Sequence, residues 1–259
     1  GRVVPLDDII SDELRADIDD ASWAQSRVEG KTYMMPFLAL QNILGYNKEL
    51  FRQAGLEAYI SDEPVIQSWT LEMWEKILST LHEKLQENTF PMMMYAKNDQ
   101  GDTHVMLYIR SQGSKFFDEQ GRFNLSTPEG IAGLQWIKDS YDKGYFPTHC
   151  ENLEISDNIT LFSKGQLALQ IMNNSLIPNL PELDMGYVNF PGPGEGMATS
   201  WVTGFQVFDN GDEAKVKAAK DFVKFIYENE TWLDFSSAGI PASASVAEKY
   251  KDQILLLEQ

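Results

Sequence analysis

The feature that most constrains the fold lies at residues 30–56, where a long apolar run leads directly into a short helix. Residues 31–44 are almost purely apolar and pass through Pro36. Asn47 suits the first position of a helix because its side chain accepts from an amide one turn on, and Gly55 suits the left-handed residue that ends one. An extended strand that runs straight into a capped helix is typical of a chain passing from one lobe to another.

Helix-like and strand-like patterns alternate along the rest of the chain, which indicates an α/β architecture. Apolar residues at helical spacing predict a helix over 70–86, begun by Thr70. Thr127 and Pro128 predict the start of another, with Ile131, Leu134, Ile137 and Tyr141 facing the core. Further predictions are a hairpin over 116–125, a helix over 212–227 with Phe222 inward, a helical tail from Ala242, and strands over 90–95, 167–172, 185–188 and 204–208.

The composition excludes some classes of partner. The 259 residues include 39 acidic and 21 basic side chains, and the net charge is −18. A field of that sign repels phosphate backbones, so no nucleic acid is expected to bind. No apolar run approaches the roughly 18–20 residues of a membrane-spanning helix.

The compartment stays open on the residues alone. The single cysteine, Cys150, permits no internal disulfide, which suits a cytoplasmic protein and equally a surface protein built without disulfides. The charged and apolar regions of a signal peptide are missing at Gly1. An exported protein would therefore have had its signal removed from this chain.

Catalytic, metal and cofactor signals are weak. The three histidines are scattered and show no zinc spacing, and no nucleophile elbow occurs. The glycine-rich loop over 190–200 fails as a phosphate loop, because Pro193 lacks a donor amide and no helix start follows. No catalytic, metal or cofactor residue is predicted. A pair of carboxylates for glycoside hydrolysis stays possible among 39 acids.

Aromatic and amide side chains together indicate sugar binding. The chain has six Trp, ten Tyr and 14 Phe. Trp201 follows the glycine-rich loop, and Phe37 precedes Gln41 and Asn42 in the crossing strand. An aromatic ring covers the apolar face of a sugar, and amides meet its hydroxyls. Trp201 is equally compatible with packing in the core.

The order of motifs along the chain resembles that of one family. These motifs are PLDDII, GKTYMMPF, YNKELFRQAGLE, SWTLEMWEKI, GSKFFDEQGRFNLSTPEG, FSKGQLALQIM, PGPGEG, AAKDFVKFIYENETW and GIPAS. Each is weak alone, but their shared order over more than 200 residues is similar to the sugar-binding group of the extracellular solute-binding proteins of ABC importers, the group that includes maltose-binding protein.

The resemblance implies the fold. It implies a periplasmic-binding-protein-like type II α/β fold, in which two lobes are joined by crossing hinge strands. Residues 1–36 would form a partial N-terminal lobe, 37–201 a near-complete C-terminal lobe, and 202–259 the return to the N-terminal lobe. The family begins with a strand–helix–strand run that nothing before Gly1 matches, so the chain resembles a fragment that exposes apolar surface.

The resemblance also implies a function. We expect a non-enzymatic, monomeric protein that captures a carbohydrate, most simply an oligosaccharide, by hinge closure and presents it to the permease subunits of an ABC importer. It would be extracellular, as a cell-surface lipoprotein or in the periplasm. Two alternatives stay open. One is capture of a polyamine or another cation, favoured by the charge of −18. The other is a glycoside hydrolase.

Candidate ligand-binding positions follow from the residues and from the resemblance. The family often has a charged or polar residue where this chain has the apolar Leu40. After the ALQIM strand, asparagines and a serine replace the usual glycine and tryptophan, which favours hydrogen bonding over stacking. The predicted ligand-binding residues are Phe37, Gln41, Asn42, Gln112, Asn173, Ser175 and Trp201. The polar ones are equally compatible with ordinary loop or hinge positions.

Overall fold

The computed structural model describes residues 2–97, 101–173, 176–177, 180, 183–192, 196–197, 199–229 and 239–254, with the backbone alone for 101–103. The described residues form two compact units. Unit 1 is drawn from Gly1–Gln41, Asn173–Asn179 and Ser200–Glu258, and unit 2 from Asn42–Met172 and Leu180–Thr199.

The helices of the described residues are α1 (Asp12–Asp17), α2 (Asp20–Ser26), α3 (Lys48–Gln53), α4 (Leu71–Lys84), α5 (Gly101–Ser111), α6 (Pro128–Asp142), α7 (Ile155–Ser163), α8 (Glu213–Glu228) and α9 (Ala244–Lys249). Short 3₁₀ turns cover Asp7–Ile9, Glu57–Tyr59, Cys150–Asn152 and Lys251–Gln253.

The strands of the described residues are β1 (Arg2–Val3), β2 (Arg27–Val28), β3 (Lys31–Thr32), β4 (Met35–Asn47), β5 (Ile66–Gln67), β6 (Leu169–Asn173), β7 (Met185–Val188), β8 (Thr199–Phe205), β9 (Phe208–Asp209) and β10 (Ile240–Pro241). Strand β4 has 13 residues, and the chain passes from unit 1 to unit 2 within it, between Gln41 and Asn42.

Unit 1 is built around the first part of β4. Leu38 and Ala39 pair antiparallel with β10, and β8 also pairs with β4. A short antiparallel ribbon joins β1 to β9. Trp23 lies at the centre of the core, 1% exposed, and its Nε1 donates to the Arg15 carbonyl at 3.1 Å. The buried core consists of Leu6, Ile18, Trp23, Met35, Val207, Val223 and Ala242.

Unit 2 is built around the second part of β4. Residues 44–47 pair antiparallel with β7, and β5 runs parallel to β7. Asn47 confirms the predicted cap, because its Oδ1 accepts from the amides of Glu49 at 3.0 Å and Leu50 at 3.2 Å. Gly55 has a φ of 75°, as predicted for the turn that follows α3. The first turn of α3 thus begins where the buried strand ends.

The predicted inward face of α6 is wrong at Ile131 and Leu134, while Ile137 and Tyr141 are half-buried. Ile131 and Leu134 are 58% and 48% exposed, while Gly130 and Gly133 are buried. A Cβ on Gly133 would lie 2.6 Å from the Cα of Ile109 in α5. Helix α6 therefore approaches α5 closely at Gly133, and Ile131 and Leu134 lie on its exposed side.

Several other predictions differ from the structure. Phe222 of α8 was expected inward but is 61% exposed, because Val223 and Ile226 supply the buried face. The stretch 90–95, predicted as a strand, forms only an isolated bridge from Phe90 to Leu167. It belongs to no strand within the described residues. Strand β8 ends at Phe205, earlier than the predicted strand over 204–208.

Candidate ligand-binding site

The predicted ligand-binding residues are distributed over both units. Phe37, Gln41, Asn173 and Trp201 belong to unit 1, and Asn42 and Gln112 belong to unit 2. Ser175 lies outside the described residues.

Phe37 belongs to an aromatic trio of unit 1. Its ring meets Phe205 edge-on at a centroid distance of 5.0 Å and Tyr227 edge-on at 5.5 Å. The Tyr227 hydroxyl lies 2.7 Å from the carbonyl oxygens of both Met35 and Pro36. Burial raises the pKa of Tyr227, so the phenol stays protonated and continues to donate. The trio fixes the ring of Phe37 at the start of β4.

A cavity of about 760 Å³ opens in unit 1 beside this trio. Phe37 lines it together with residues of α1, α8, α9 and β10, and Asp17 and Lys224 are among its charged groups. Asp17 accepts from the amide and hydroxyl of Ser245, each at 2.9 Å, and from the hydroxyl of Ser243. Desolvation raises the pKa of Asp17, but these hydrogen bonds outweigh it and lower the pKa below its ordinary value.

The other predicted residues of unit 1 differ in how available they are. Gln41 is exposed and Trp201 is half-buried on β8. Asn173 already closes a local turn, because the amide of Leu176 donates to its carbonyl at 3.0 Å and its Oδ1 at 2.9 Å. The exposed amide of Gln41 is accessible to a ligand and can both donate and accept.

Buried amides mark the strands of unit 2. Asn42 is fully buried, and its Nδ2 donates to Thr199 Oγ1 at 3.4 Å. Its Oδ1 has no hydrogen-bond partner among the described residues. Gln170 of β6 is 2% exposed, and neither atom of its amide finds a partner among the described residues. Such atoms are commonly satisfied by ordered water or by a ligand.

Gln170 was not predicted as a site residue. The signal in the sequence was a glutamine inside the apolar run 167–172, where a strand buried on both faces would otherwise be continuous. Its position beside β4 follows from the strand pairing, which the sequence alone does not provide.

Gln112 lies at a second, smaller cavity in unit 2. This cavity measures about 80 Å³ and is also lined by Trp74, Glu75 and Trp136. Trp136 stacks on Tyr108 at 5.5 Å between ring centroids, with an interplanar angle of 26°. Gln112 therefore lies near a group of aromatic side chains, Trp74, Tyr108 and Trp136, that come from α4, α5 and α6.

Thiol chemistry is disfavoured at Cys150. Burial raises the pKa of its thiol to about 11, so the nucleophilic thiolate is scarce at neutral pH. The side chain of the adjacent His149 is 82% exposed, whereas Cys150 is fully buried. The two side chains diverge, as expected for neighbours in sequence.

No group of three or more His, Cys, Asp or Glu among the described residues is placed to hold a metal ion. None of the helices in the described part of the chain combines the length and apolar character needed to cross a bilayer.

The sequence profile of one family, described as bacterial extracellular solute-binding protein, matches residues 1–231. The chain belongs to this family. The matched range includes residues of both compact units and all the predicted ligand-binding residues.

Curated relatives of the chain are longer than it is. A binding protein of Brucella abortus (strain 2308) is 23% identical over 243 residues, which cover 91% of this chain and 56% of that protein. A mannitol-binding protein of Pseudomonas aeruginosa is 25% identical over 170 residues, which cover 65% of this chain and 36% of that protein. The chain thus spans about half the length of the Brucella relative.

A solved structure shows the fold of the chain. The maltose-bound MalE3 of T. maritima superimposes with a TM-score of 0.73 at 20% identity, over 97% of this chain and 65% of that one. The predicted α/β fold of the periplasmic-binding-protein type is therefore confirmed.

Proposed function

We propose that the protein is the solute-binding component of an ABC importer and that it captures a carbohydrate for uptake. The observation that carries the proposal is the family match over residues 1–231. The class of solute is supported by two similar proteins, one named for mannitol and one solved with maltose. We further propose that the protein acts without chemical turnover, outside the cell as a surface lipoprotein or in the periplasm, and hands its solute to the permease subunits.

Side chains of unit 1 supply the chemistry that a sugar needs. Trp201, half-buried on β8, offers a ring that can cover the C–H face of a sugar while part of it stays accessible. The exposed amide of Gln41 can donate and accept at once, as paired hydroxyls require. We assign Trp201 to stacking and Gln41 to hydrogen bonding, with Asn173 as a further polar contact. Phe37, held by its aromatic neighbours, forms a fixed apolar wall.

In unit 2 we assign Asn42 and Gln170 to polar recognition, directly or through ordered water. Both amides are buried and both keep atoms without a partner among the described residues. An unpaired buried amide costs stability, so a bound solute or water that satisfies it gains more than it would at an exposed amide. Gln112 contributes at the small cavity, and Ser175 stays a candidate outside the described residues.

The test uses the full-length protein, because the chain covers only part of its relatives. A thermal-shift screen with mannitol, maltose and longer oligosaccharides should raise the melting temperature with one class, through mass action on the folded state. Calorimetry on the same ligand should then show weaker binding for Trp201→Ala, with Trp23→Phe in the core of unit 1 as a stability control.

Two outcomes would overturn the proposal. Release of shorter sugars from an oligosaccharide would identify a hydrolase, which product chromatography detects. Binding of polyamines that weakens steeply with salt, in the absence of any sugar response, would identify a receptor for cations, because screening weakens charge attraction but leaves hydroxyl recognition largely unchanged.

A further inference from the structure

A small cavity in unit 2 lies where three helices meet. It has a volume of about 80 Å³ and is lined by Leu71, Trp74, Glu75, Ser111, Gln112 and Trp136. These residues come from the first turns of α4, the last residue of α5 with its successor, and the middle of α6. The lining combines two indole rings with a carboxylate, a hydroxyl and an amide.

One wall of the cavity holds a buried donor without an acceptor. Trp74 is 4% exposed, and its Nε1 has no hydrogen-bond partner among the described residues. An indole N–H can only donate, and leaving it unpaired away from water is costly. Trp69 is also 4% exposed with an unpaired Nε1, but it does not line this cavity. Among the described residues, Trp74 and Trp69 are thus a matched pair of indoles without an acceptor, of which only Trp74 lines this cavity.

The lining of the cavity also contains hydrogen-bond acceptors. The Glu75 carboxylate accepts from Trp136 Nε1 at 2.5 Å and from Lys143 Nζ at 3.4 Å, and its side chain is 39% exposed. A carboxylate offers about four acceptor positions, so it retains capacity for a further donor. Gln112 Nε2 donates to the hydroxyl of Ser111 at 3.2 Å, which leaves another amide proton and the amide oxygen.

The two rings define the shape of the cavity. Trp74 and Trp136 meet at 78°, with 6.0 Å between their centroids. One face of Trp136 is already covered by Tyr108. Two indole rings at nearly a right angle thus form the apolar part of the lining, which also contains the polar groups.

We propose that this cavity binds the hydroxyl end of a polyol or sugar, such as a hydroxymethyl group or a terminal diol. A hydroxyl is the simple group that accepts from the Trp74 indole and donates to the Glu75 carboxylate at the same time. The volume corresponds to about two or three waters at ~30 Å³ each, which fits an end group and excludes a whole pyranose ring. The class of ligand rests on the proposed function, whereas the position of the subsite rests on the cavity alone.

The experiment follows the indole N–H signals of the six tryptophans in a ¹⁵N-labelled sample of the full-length protein during a titration with glycerol. Trp74→Phe and Trp69→Phe assign the two signals. The Trp74 signal should move along a saturable curve, while the Trp69 signal should stay in place. A Trp74 signal that does not move up to molar glycerol means that water alone fills the cavity, and that overturns the proposal. Equal movement of both signals means a general solvent effect and overturns it too.

A second pair of variants tests the amide. Gln112→Ala should weaken the glycerol response of Trp74 by about three- to tenfold, the equivalent of one ordinary hydrogen bond. Gln135→Ala, on the exposed surface of α6 beside Trp136, should leave it unchanged. Equal glycerol affinity in both variants would remove Gln112 from the subsite. Carbohydrate capture measured by calorimetry is a separate readout, so each proposal can fail while the other stands.

Discussion

The hydroxyl of Tyr227 lies 2.7 Å from the carbonyl oxygen of Met35, and it thereby joins α8 to the first residue of β4. The same hydroxyl lies 2.7 Å from the carbonyl of Pro36. Within unit 1, a helix near the end of the chain thus holds the strand that carries Phe37 and Gln41.

Replacing Tyr227 with Phe should lower the free energy of unfolding by about 1–2 kcal/mol, because the buried carbonyls lose their shared donor. Denaturation in urea measures the change. Tyr59→Phe, on a ring that packs edge-on against Trp69 in unit 2, is the control and should change stability little. Equal losses in both variants would mean that the phenol acts through packing rather than through its hydrogen bond.

The close approach of α6 to α5 gives a second prediction. Gly133→Ala should destabilise the protein by about 1–3 kcal/mol, since the new methyl would meet the Ile109 backbone at 2.6 Å. Ile131→Ala should cost less than about 0.5 kcal/mol, because Ile131 is 58% exposed. The helical pattern predicted the reverse order, with Ile131 in the core. Chemical denaturation of the two variants shows which of them loses more stability, and so whether the structure or the helical pattern gives the right order.

Local signals predicted local structure well. The cap at Asn47, the start of α4 after Thr70 and the start of α6 after Thr127 each depend on a side chain that bonds within its own turn. The face that a helix buries depends instead on its neighbour. The small residue Gly133 allowed α5 to approach α6, and no pattern within α6 alone carries that information.

The candidate site shows the same division. Phe37 and Gln41 could be proposed from residue type and position in an apolar strand that crosses between lobes. The neighbours of Gln112 could not, because Glu75 and Trp136 are 61 positions apart along the chain and meet only through helix packing. Gln170 had a visible signal, a polar residue within an apolar run, which was not used.

The cap of α3 gives a third prediction. Asn47→Ala should cost about 0.5–2 kcal/mol of stability, because two amides at the start of the helix lose their acceptor. Asn47→Asp keeps an acceptor at the same place and should recover most of the loss. Thermal and urea unfolding of both variants measure it. If the aspartate loses as much as the alanine, burial of Asn47 matters more than the cap.

The hydrogen bonds to Asp17 give a prediction for pH. The pKa of Asp17 in the folded protein is lowered from 3.8, so the folded state binds its proton less readily than the unfolded state does. The stability that Asp17 contributes is fully present above pH 3.8. It is lost as the pH falls through the pKa of Asp17 in the folded protein.

Asp17→Asn should therefore make the free energy of unfolding fall less steeply as the pH is lowered from neutral to acid. The asparagine amide keeps an acceptor but does not titrate in that range. Urea unfolding at a series of pH values measures the slope. An unchanged slope would show that other carboxylates dominate the acid response. Asp7 and Asp19, whose pKa values are also lowered by hydrogen bonds, are then the next residues to substitute.

The buried amide of Gln170 gives the last prediction, in which stability and binding move in opposite directions. Gln170→Leu should leave the free energy of unfolding unchanged or raise it, because the leucine replaces polar atoms that have no partner among the described residues. The matched control is Gln67→Leu. Gln67 accepts from the Tyr46 hydroxyl at 2.7 Å, so its loss should destabilise unit 2 by about 1–2 kcal/mol.

If Gln170 contacts the solute, the stable Gln170→Leu protein should bind carbohydrate more weakly in calorimetry. A variant that is less stable than wild type would indicate that ordered water already satisfies the amide, and a stable variant with unchanged affinity would remove Gln170 from the site.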